Sequence, residues 1–253
     1  MKKENTKKKT NTKQKDDRIR INKFIASSGY CSRRKADELI ADGRVTVNGK
    51  IIIELGAMLK PSDVVMIDGN AIKQSIRYKY IILNKPKDFI CTKKDELSRK
   101  TVFDIVKSSE NVLTVGRLDR NTTGVLLLTN DGEMIYRLTH PKYQIERVYI
   151  ANLDSPLDIK DAQQIAKGVD LEDGTTSPCE VVISPEDNKK VILLLHEGRN
   201  REVRRIFEHF GYKVKQLDRK SFAGLTYSGL KKGEYRHLLK TEVNKLKRML
   251  EMN

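Results

Sequence analysis

The chain has few residues of the kinds that build disulfide or metal frameworks. Its three cysteines are far apart and form no CxxC pair, so neither a disulfide framework nor a zinc site is expected. Its four histidines show no metal-ligand spacing, and no metal is expected. These residues are Cys31, Cys91, Cys179, His140, His196, His209 and His237.

The sequence also lacks long apolar runs and nucleotide-binding loops. No run reaches the ~18 apolar residues needed to span a bilayer, and the N-terminus has no apolar signal-peptide core. A cytoplasmic protein that does not enter a membrane is therefore expected. No GxG string, GxxxxGK[ST] loop, GxSxG elbow or HExxH helix is present. Their absence disfavours a methyltransferase with a glycine-rich nucleotide loop and the enzyme classes that need the other motifs.

Positive charge is in excess. Fifty Lys plus Arg against 34 Asp plus Glu give a net charge of +16, which indicates a polyanionic partner and favours nucleic acid over membrane. With 253 residues, 38% of them hydrophobic, the chain can form two units with separate cores. Residues 1–17 have seven lysines and no aliphatic residue after Met1, and they predict a disordered basic tail.

Residues 18–75 predict a small helical and hairpin module. An apolar stripe containing Ile21 and Phe24 predicts a first helix, and Ser32 can cap a second over residues 33–42. Asn48-Gly49 between two short apolar runs predicts a β-hairpin. Cations in the first turn of the second helix oppose its dipole, so an anionic partner would relieve that conflict; a solvated charged face is the alternative. They are Arg33, Arg34 and Lys35.

Residues 76–253 predict a larger α+β domain. The predicted strands are 80–83, 112–115, 125–129, 147–151, 179–183, 191–195 and 212–217, and the predicted helices are 102–106, 133–138, 158–166 and 201–210. Strands outnumber helices, and few βαβ units alternate cleanly. A mixed, mainly antiparallel β-sheet with flanking helices is therefore expected.

The most informative segment is residues 115–132, VGRLDRNTTGVLLLTNDG. It places Asp119 in a polar loop just ahead of the run 125–128, which is too continuously apolar to be anything but a buried strand. A polar residue in a loop next to a buried strand is a typical position for a catalytic side chain. Taken alone, the segment also fits a salt-bridged loop aspartate.

A second informative segment is residues 146–150, ERVYI. The period of two along a strand sends Arg147 and Tyr149 to one face and Val148 and Ile150 to the other. A ring and a guanidinium side by side can stack on a base and hold a phosphate. An ordinary half-exposed strand is the alternative.

A third segment, residues 197–205, reads EGRNREVRR and follows an apolar strand. On a helix, the apolar residues form a core stripe, and Arg201, Arg204 and Arg205 are left on a basic ridge. Such a ridge suits RNA phosphates or a carboxylate in a cleft. The predicted core stripe is Val203, Ile206, Phe207 and Phe210.

The strings GRLDxxTxG, basic-x-Tyr and EGRNRxVRR, in this order, resemble the motifs of bacterial ribosomal-RNA pseudouridine synthases of the RsuA/RluB type. The elements around SRRKADELI and GRVTVNG resemble the RNA-binding domain of the ribosomal-protein-S-four type. The likeness extends from residue 18 to about residue 239. It departs after Lys85-Pro86, where the family usually has x-Gly and this chain has Lys87 and Asp88, which leaves the shape of that loop open.

The resemblance implies a role for each matching residue. Asp119 would begin the reaction, Tyr149 would lie against the target uracil, and Arg204 would pair with Asp119. Val203 would pack near the base, and Arg117 would fill the space left by the flipped base or grip a flanking phosphate. Further substrate-binding residues would be Arg147, Arg199 and Arg201. The residues meeting the RNA backbone in the N-terminal domain would be Arg33, Arg34, Lys35 and Arg44.

The activity that the resemblance implies is isomerisation of a specific uridine in ribosomal RNA, free or in a pre-ribosomal particle. It needs no cofactor, and a monomer is expected. The segments HPKYQIERVY and SFAGLTYSGLKKGEYRHL favour a large-subunit 23S target. Two alternatives are a small-subunit target and a non-catalytic assembly factor. The latter would have no need of Asp119, Tyr149 and Arg204 together.

Overall fold

The computed structural model describes residues 18–73, 77–93, 95–107 and 111–252. The chain divides into two compact units, one within residues 1–76 and the other within residues 77–253. The predicted basic tail, residues 1–17, lies outside the described residues. Within the described ranges, no helix is long and apolar enough to cross a membrane.

The N-terminal unit packs two helices against short antiparallel strands. Its helices are α1 (Ile21–Ser27) and α2 (Arg33–Ala41), and its strands are β1 (Ile19–Arg20), β2 (Val45–Val47), β3 (Lys50–Ile51), β4 (Met58–Leu59), β5 (Val65–Ile67) and β6 (Asn70–Ala71). The Ser32 side chain caps α2 by accepting a hydrogen bond from the Lys35 backbone N–H. The β2–β3 hairpin turns at Asn48-Gly49, both with positive φ, as predicted. β4 to β6 were not predicted from the sequence.

The C-terminal unit is built on one mixed sheet. Its strands are β7 (Tyr80–Lys85), β8 (Leu113–Thr114), β9 (Thr122–Thr129), β10 (Arg147–Leu153), β11 (Asp170–Leu171), β12 (Gly174–Thr175), β13 (Glu180–Ile183), β14 (Lys190–Leu195), β15 (Val214–Phe222), β16 (Leu225–Thr226) and β17 (Tyr235–His237). Its helices are α3 (Val102–Ile105), α4 (Gly132–Thr139), α5 (Ile159–Lys167), α6 (Glu202–His209) and α7 (Lys240–Met249), with a 3-10 turn at Pro141–Tyr143.

The order of strands in this sheet is β13-β14-β10-β15-β9-β7-β17, with β16 on β15 and β8 on β9. Among its described pairings, that of β15 with β9 is parallel and the others are antiparallel. The predicted α+β class with a mixed, mainly antiparallel sheet is confirmed. β11 and β12 form a separate hairpin.

Strand β9 is buried on both faces, which explains its unbroken apolar run. Val125 and Leu127 pack with α4 and α7, whereas Leu126 and Leu128 pack with α3 on the opposite face. Beyond β15, helices α5 and α6 cover the sheet through residues such as Phe207, which is fully buried. The predicted core stripe of α6 is confirmed: Val203, Ile206 and Phe207 are buried and Phe210 is partly buried against them.

Candidate active site

Asp119 lies in the loop between β8 and β9, and the glycines of that segment explain how the loop enters the sheet. Gly124 sits where β9 runs parallel to β15, and a Cβ at this position would overlap the Arg219 backbone oxygen. Its φ of +106° is also one that L side chains rarely adopt. Gly124 is therefore required for the β9–β15 pairing, and that pairing fixes the end of the Asp119 loop.

A buried lysine holds the backbone of the same loop. Lys85 ends β7 with no exposed surface, and its ammonium donates to the backbone oxygens of Asp119 at 3.0 Å, Arg120 at 3.2 Å and Thr122 at 2.8 Å. It also donates to the oxygen of Pro86 at 3.2 Å. Burial lowers the pKa of Lys85 to about 8. Lys85 is thus a positioning residue that fixes the backbone at Asp119 and in the residues just after it.

The loop after Lys85-Pro86 takes its shape with an aspartate where the related family usually has glycine. Asp88 adopts a φ of +70°, in the left-handed region that glycine favours and aspartate tolerates. Its backbone N–H donates to the Arg120 oxygen at 2.9 Å, and its carboxylate lies 3.1 Å from the Arg120 Nε. The departure therefore adds an ion pair beside Asp119.

Asp119 faces an arginine from α6. The Arg204 Nε lies 3.9 Å from the Asp119 Oδ2, and the side chains are 11% and 34% exposed, respectively. A second nitrogen of Arg204 donates to the Val214 backbone oxygen at 2.9 Å, which fixes the guanidinium. Burial lowers the pKa of Arg204, and the charge of the adjacent Arg201 lowers it further. The guanidinium is therefore a fixed positive charge opposite the Asp119 carboxylate.

The carboxylate opens into a cavity of about 260 Å³. The ring of Tyr149 and the apolar side chains of Val203 and Leu217 are part of its lining, together with Arg117 and Arg201. Asp119 and Arg117 also border a second cavity of about 690 Å³. The structure therefore brings Asp119, Tyr149, Val203 and Arg204 to one place. Among the described residues, no three His, Cys, Asp or Glu side chains are grouped to hold a metal ion.

Arg199 borders the first cavity, but its guanidinium is already engaged. It donates to Glu197 at 3.0 Å, to the Gly174 oxygen at 2.7 Å and to the Thr175 oxygen at 2.6 Å. Its backbone N–H donates to Glu202 at 3.0 Å. These contacts tie the loop before α6 to the β11–β12 hairpin. Arg199 therefore supports the wall of the cavity, and its predicted role in substrate binding stays a prediction.

Arg147 requires a correction. It shares a face of β10 with Tyr149, as predicted, but that end of the face is covered and the side chain is buried. Its guanidinium donates to the backbone oxygens of Ile145 at 2.5 Å and Leu138 at 3.5 Å. Burial lowers its pKa. Arg147 borders neither of the two cavities and serves the structure of the chain, not substrate binding.

The predicted basic ridge on α6 is also different in the structure. Arg205 binds both carboxylate oxygens of Asp173, at 2.8 and 3.0 Å, and Arg204 turns toward Asp119. Arg201 is half exposed, lies 3.6 Å from Glu208 and remains at the rim of the cavity. Helical periodicity predicted that these arginines share one surface. In the structure, each side chain turns toward a different carboxylate nearby.

The predicted RNA-contacting residues of the N-terminal unit are all exposed. Lys35 pairs with Glu38 at 2.8 Å, and Arg44 binds Asp68 through two hydrogen bonds. Arg33 makes one long contact, 3.4 Å, to Asn22. Solvent-exposed pairs of this kind contribute little and can exchange for phosphates.

The sequence did not predict two buried groups of the site. Lys85 looked like the end of a strand, although a lysine closing a run of buried residues was a usable signal. Glu202 is buried, accepts from Arg199 and has one oxygen, Oε1, without a donor. Burial and the charge of Glu197 raise the pKa of Glu202 to about 7. Two acids five residues apart gave no sign that they would meet.

Comparison with known proteins assigns this architecture to a family. The model of the RNA pseudouridylate synthases matches residues 79–209, and the model of the S4 domain matches residues 19–65. The chain belongs to the RNA pseudouridylate synthase family.

Relatives match over most of their length. The ribosomal large subunit pseudouridine synthase B of Bacillus subtilis is 39% identical over 237 residues, covering 92% of this chain and 97% of that protein. The dual-specificity RNA pseudouridine synthase RluF of Escherichia coli K12 is 34% identical over 238 residues, covering 93% and 81%. A crystal structure of a pseudouridylate synthase superposes with a TM-score of 0.66 at 30% identity, covering 90% of this chain and 99% of that one.

Proposed function

We propose that this protein isomerises a specific uridine of large-subunit 23S ribosomal RNA to pseudouridine, with Asp119 as the catalytic carboxylate. The observation that carries the proposal is the cavity in which Asp119 lies 3.9 Å from Arg204 and shares the lining with Tyr149. The name of the Bacillus subtilis relative supports the choice of the large subunit.

The reaction breaks the bond between the ring nitrogen of uracil and the sugar and forms a bond between the sugar and C5. The ring nitrogen gains a proton, and C5 loses its hydrogen as a proton. No electrons or groups are exchanged with a second molecule, so no cofactor is needed. An anionic Asp119 begins the reaction by attacking the ring or the sugar or by accepting a sugar proton.

The other residues of the cavity support this step. Tyr149 offers its ring to the uracil, and Val203 provides an apolar contact beside it. The base must leave its stack to reach Asp119, which costs a few kcal/mol. Arg117 is exposed at the rim of both cavities and is placed to fill the vacated space or grip the flanking phosphate.

Residues 18–75 bind the RNA, and residues 76–253 catalyse the reaction. Arg33, Arg34, Lys35 and Arg44 meet phosphates. The net charge of +16 supports a polyanionic substrate, either ribosomal RNA or a pre-ribosomal particle. The protein acts in the cytoplasm as a monomer.

Sequencing of chemically labelled ribosomal RNA from cells with and without the protein tests this function. One labelled position in 23S RNA is expected to disappear with the protein, to return with the wild type and to stay absent with Asp119→Asn. Loss of a 16S position would replace the large-subunit target by the small-subunit alternative. An unchanged map would leave a non-catalytic assembly factor as the better account.

A further inference from the structure

Three rings and two cations meet on the surface where α4 ends. The ring centroids of Tyr136 and His140 are 5.0 Å apart, and those of Tyr136 and Tyr143 are 6.1 Å apart. The Lys142 Nζ lies 4.7 Å from the Tyr143 centroid, and the Arg137 guanidinium lies 5.8 Å from it. We name Tyr136, His140 and Tyr143 the ring cluster.

Tyr143 packs, partly buried, against the core, but the ring cluster has no role in the proposed chemistry. Tyr136 is 45% exposed, and His140 and Lys142 are exposed. None of the three borders the Asp119 cavity. Exposed aromatic rings beside cations are the combination that binds unpaired nucleotides, because every base can stack on a ring while cations attract the phosphates.

Chain neighbours of the ring cluster, Thr139 and Gln144, approach residues at or near the lining of the Asp119 cavity. Gly116 lines the cavity, and a Cβ added to it would lie 3.9 Å from the Cγ2 of Thr139 at the end of α4. The His196 ring contacts the Gln144 oxygen at 3.1 Å, and His196 stands two residues before Gly198, which also lines the cavity.

A buried arginine fixes the backbone of the segment that carries the rings. The buried Arg147 donates to the backbone oxygens of Leu138 and Ile145, which flank His140 and Tyr143 in the chain. Gly198 leaves room for this guanidinium, because a Cβ there would lie 3.2 Å from the Arg147 Nε. A surface that is already fixed loses little entropy when it binds.

We propose that the ring cluster is a stacking surface for unpaired nucleotides that flank the target uridine. Bases stack on the Tyr136 face, and Lys142 attracts the phosphates. RNA fits better than a protein partner because the nearby acid Glu133 is already paired with Arg137 at 2.8 Å, which leaves Lys142 and the rings for a polyanion. The identity of the RNA rests on the proposed function; the surface itself does not.

The test uses the full chain, with a mixed-sequence single-stranded RNA oligonucleotide as the probe. Tyr136→Leu is expected to weaken binding by roughly 5- to 150-fold, the range for loss of one stacked base, with the salt dependence unchanged. Tyr136→Phe keeps the ring and should bind as the wild type does. Lys142→Ala, at an exposed site, should instead make the log-affinity versus log-salt slope shallower by about 0.7.

Tyr235→Leu is the matched control, because Tyr235 is 38% exposed on β17 and lies outside the ring cluster. It should leave affinity unchanged, and thermal unfolding should show that all variants fold. The proposal is overturned by wild-type affinity in Tyr136→Leu and wild-type salt slope in Lys142→Ala, which would point to a protein partner. A loss in Tyr235→Leu equal to that in Tyr136→Leu would also overturn it. Because binding needs no turnover, its failure is distinct from failure of the proposed isomerisation.

Discussion

Replacing Arg204 by alanine removes the cation opposite the proposed catalytic carboxylate. Two unit charges 3.9 Å apart attract each other by about 4 kcal/mol at an effective dielectric constant of ~20. Because Asp119 is 34% exposed, solvent screening reduces this contribution. A loss of about 2 to 3 kcal/mol corresponds to a decrease of roughly 30- to 150-fold in the rate constant.

The measurement is the single-turnover rate of pseudouridine formation at saturating ribosomal RNA. Arg204→Lys should lie between the wild type and the alanine variant, because an ammonium keeps the charge but loses the fixed planar geometry that serves both Asp119 and Val214. Arg205→Ala is the matched control, since the neighbouring guanidinium binds Asp173 instead. A wild-type rate in Arg204→Ala, or an equal loss in Arg205→Ala, would refute the reasoning.

Three further predictions concern the stability of the fold and the binding of RNA by the N-terminal unit. Lys85→Met should lower the free energy of unfolding by about 3 to 5 kcal/mol, since the backbone oxygens around Asp119 lose a buried donor. Burial lowers the pKa of Lys85 from 10.5 to about 8, so the unfolded chain binds more protons between these values. Chemical denaturation should therefore show the wild type gaining stability over Lys85→Met as pH rises through this window; a falling difference would contradict the assignment. Asp88→Ala should be less stable than Asp88→Gly by about 1 kcal/mol, because glycine adopts the positive φ of this position without strain. Equal midpoints of chemical denaturation with equal denaturant slopes would count against this prediction. Joint replacement of Arg33 and Arg34 by Ala should weaken RNA binding at ~150 mM salt and make the salt slope shallower by roughly 1 to 2, with the saturated single-turnover rate preserved. An unchanged slope would remove their RNA role, and a collapsed rate would tie them to the active site.

Much of the fold follows from local patterns. The unbroken apolar run in β9 and the apolar stripe of α6 are patterns that predict buried residues. Each strand and helix predicted in the C-terminal unit is present. Helix α7 was missed because its hydrophobic residues are few, although Leu246 within it and Leu250 just after it are buried. β15 extends to Phe222, beyond the predicted residue 217, because pairing with β10 and β9 overrides the polar composition of its second half.

The residues of the candidate site also fall into those that the sequence predicted and those that it did not. Asp119, Tyr149 and Arg204 were identified from motifs, and the structure brings them together. Arg147 was assigned to substrate binding because a sequence does not show which backbone oxygens will meet a guanidinium. Lys85 was missed for the converse reason: its partners are carbonyl groups from a segment 34 to 37 residues away, and carbonyl groups leave no mark in a sequence.

The central claim is that Asp119 drives isomerisation of uridine. The most direct measurement is tritium release from ribosomal RNA carrying uridine labelled at C5, since that hydrogen leaves when the new bond to the sugar forms. Asp119→Asn keeps the size and polarity of the side chain and should bind RNA with nearly wild-type affinity but release no tritium above background, whereas the wild type releases it from one position. Normal release by Asp119→Asn would contradict the account.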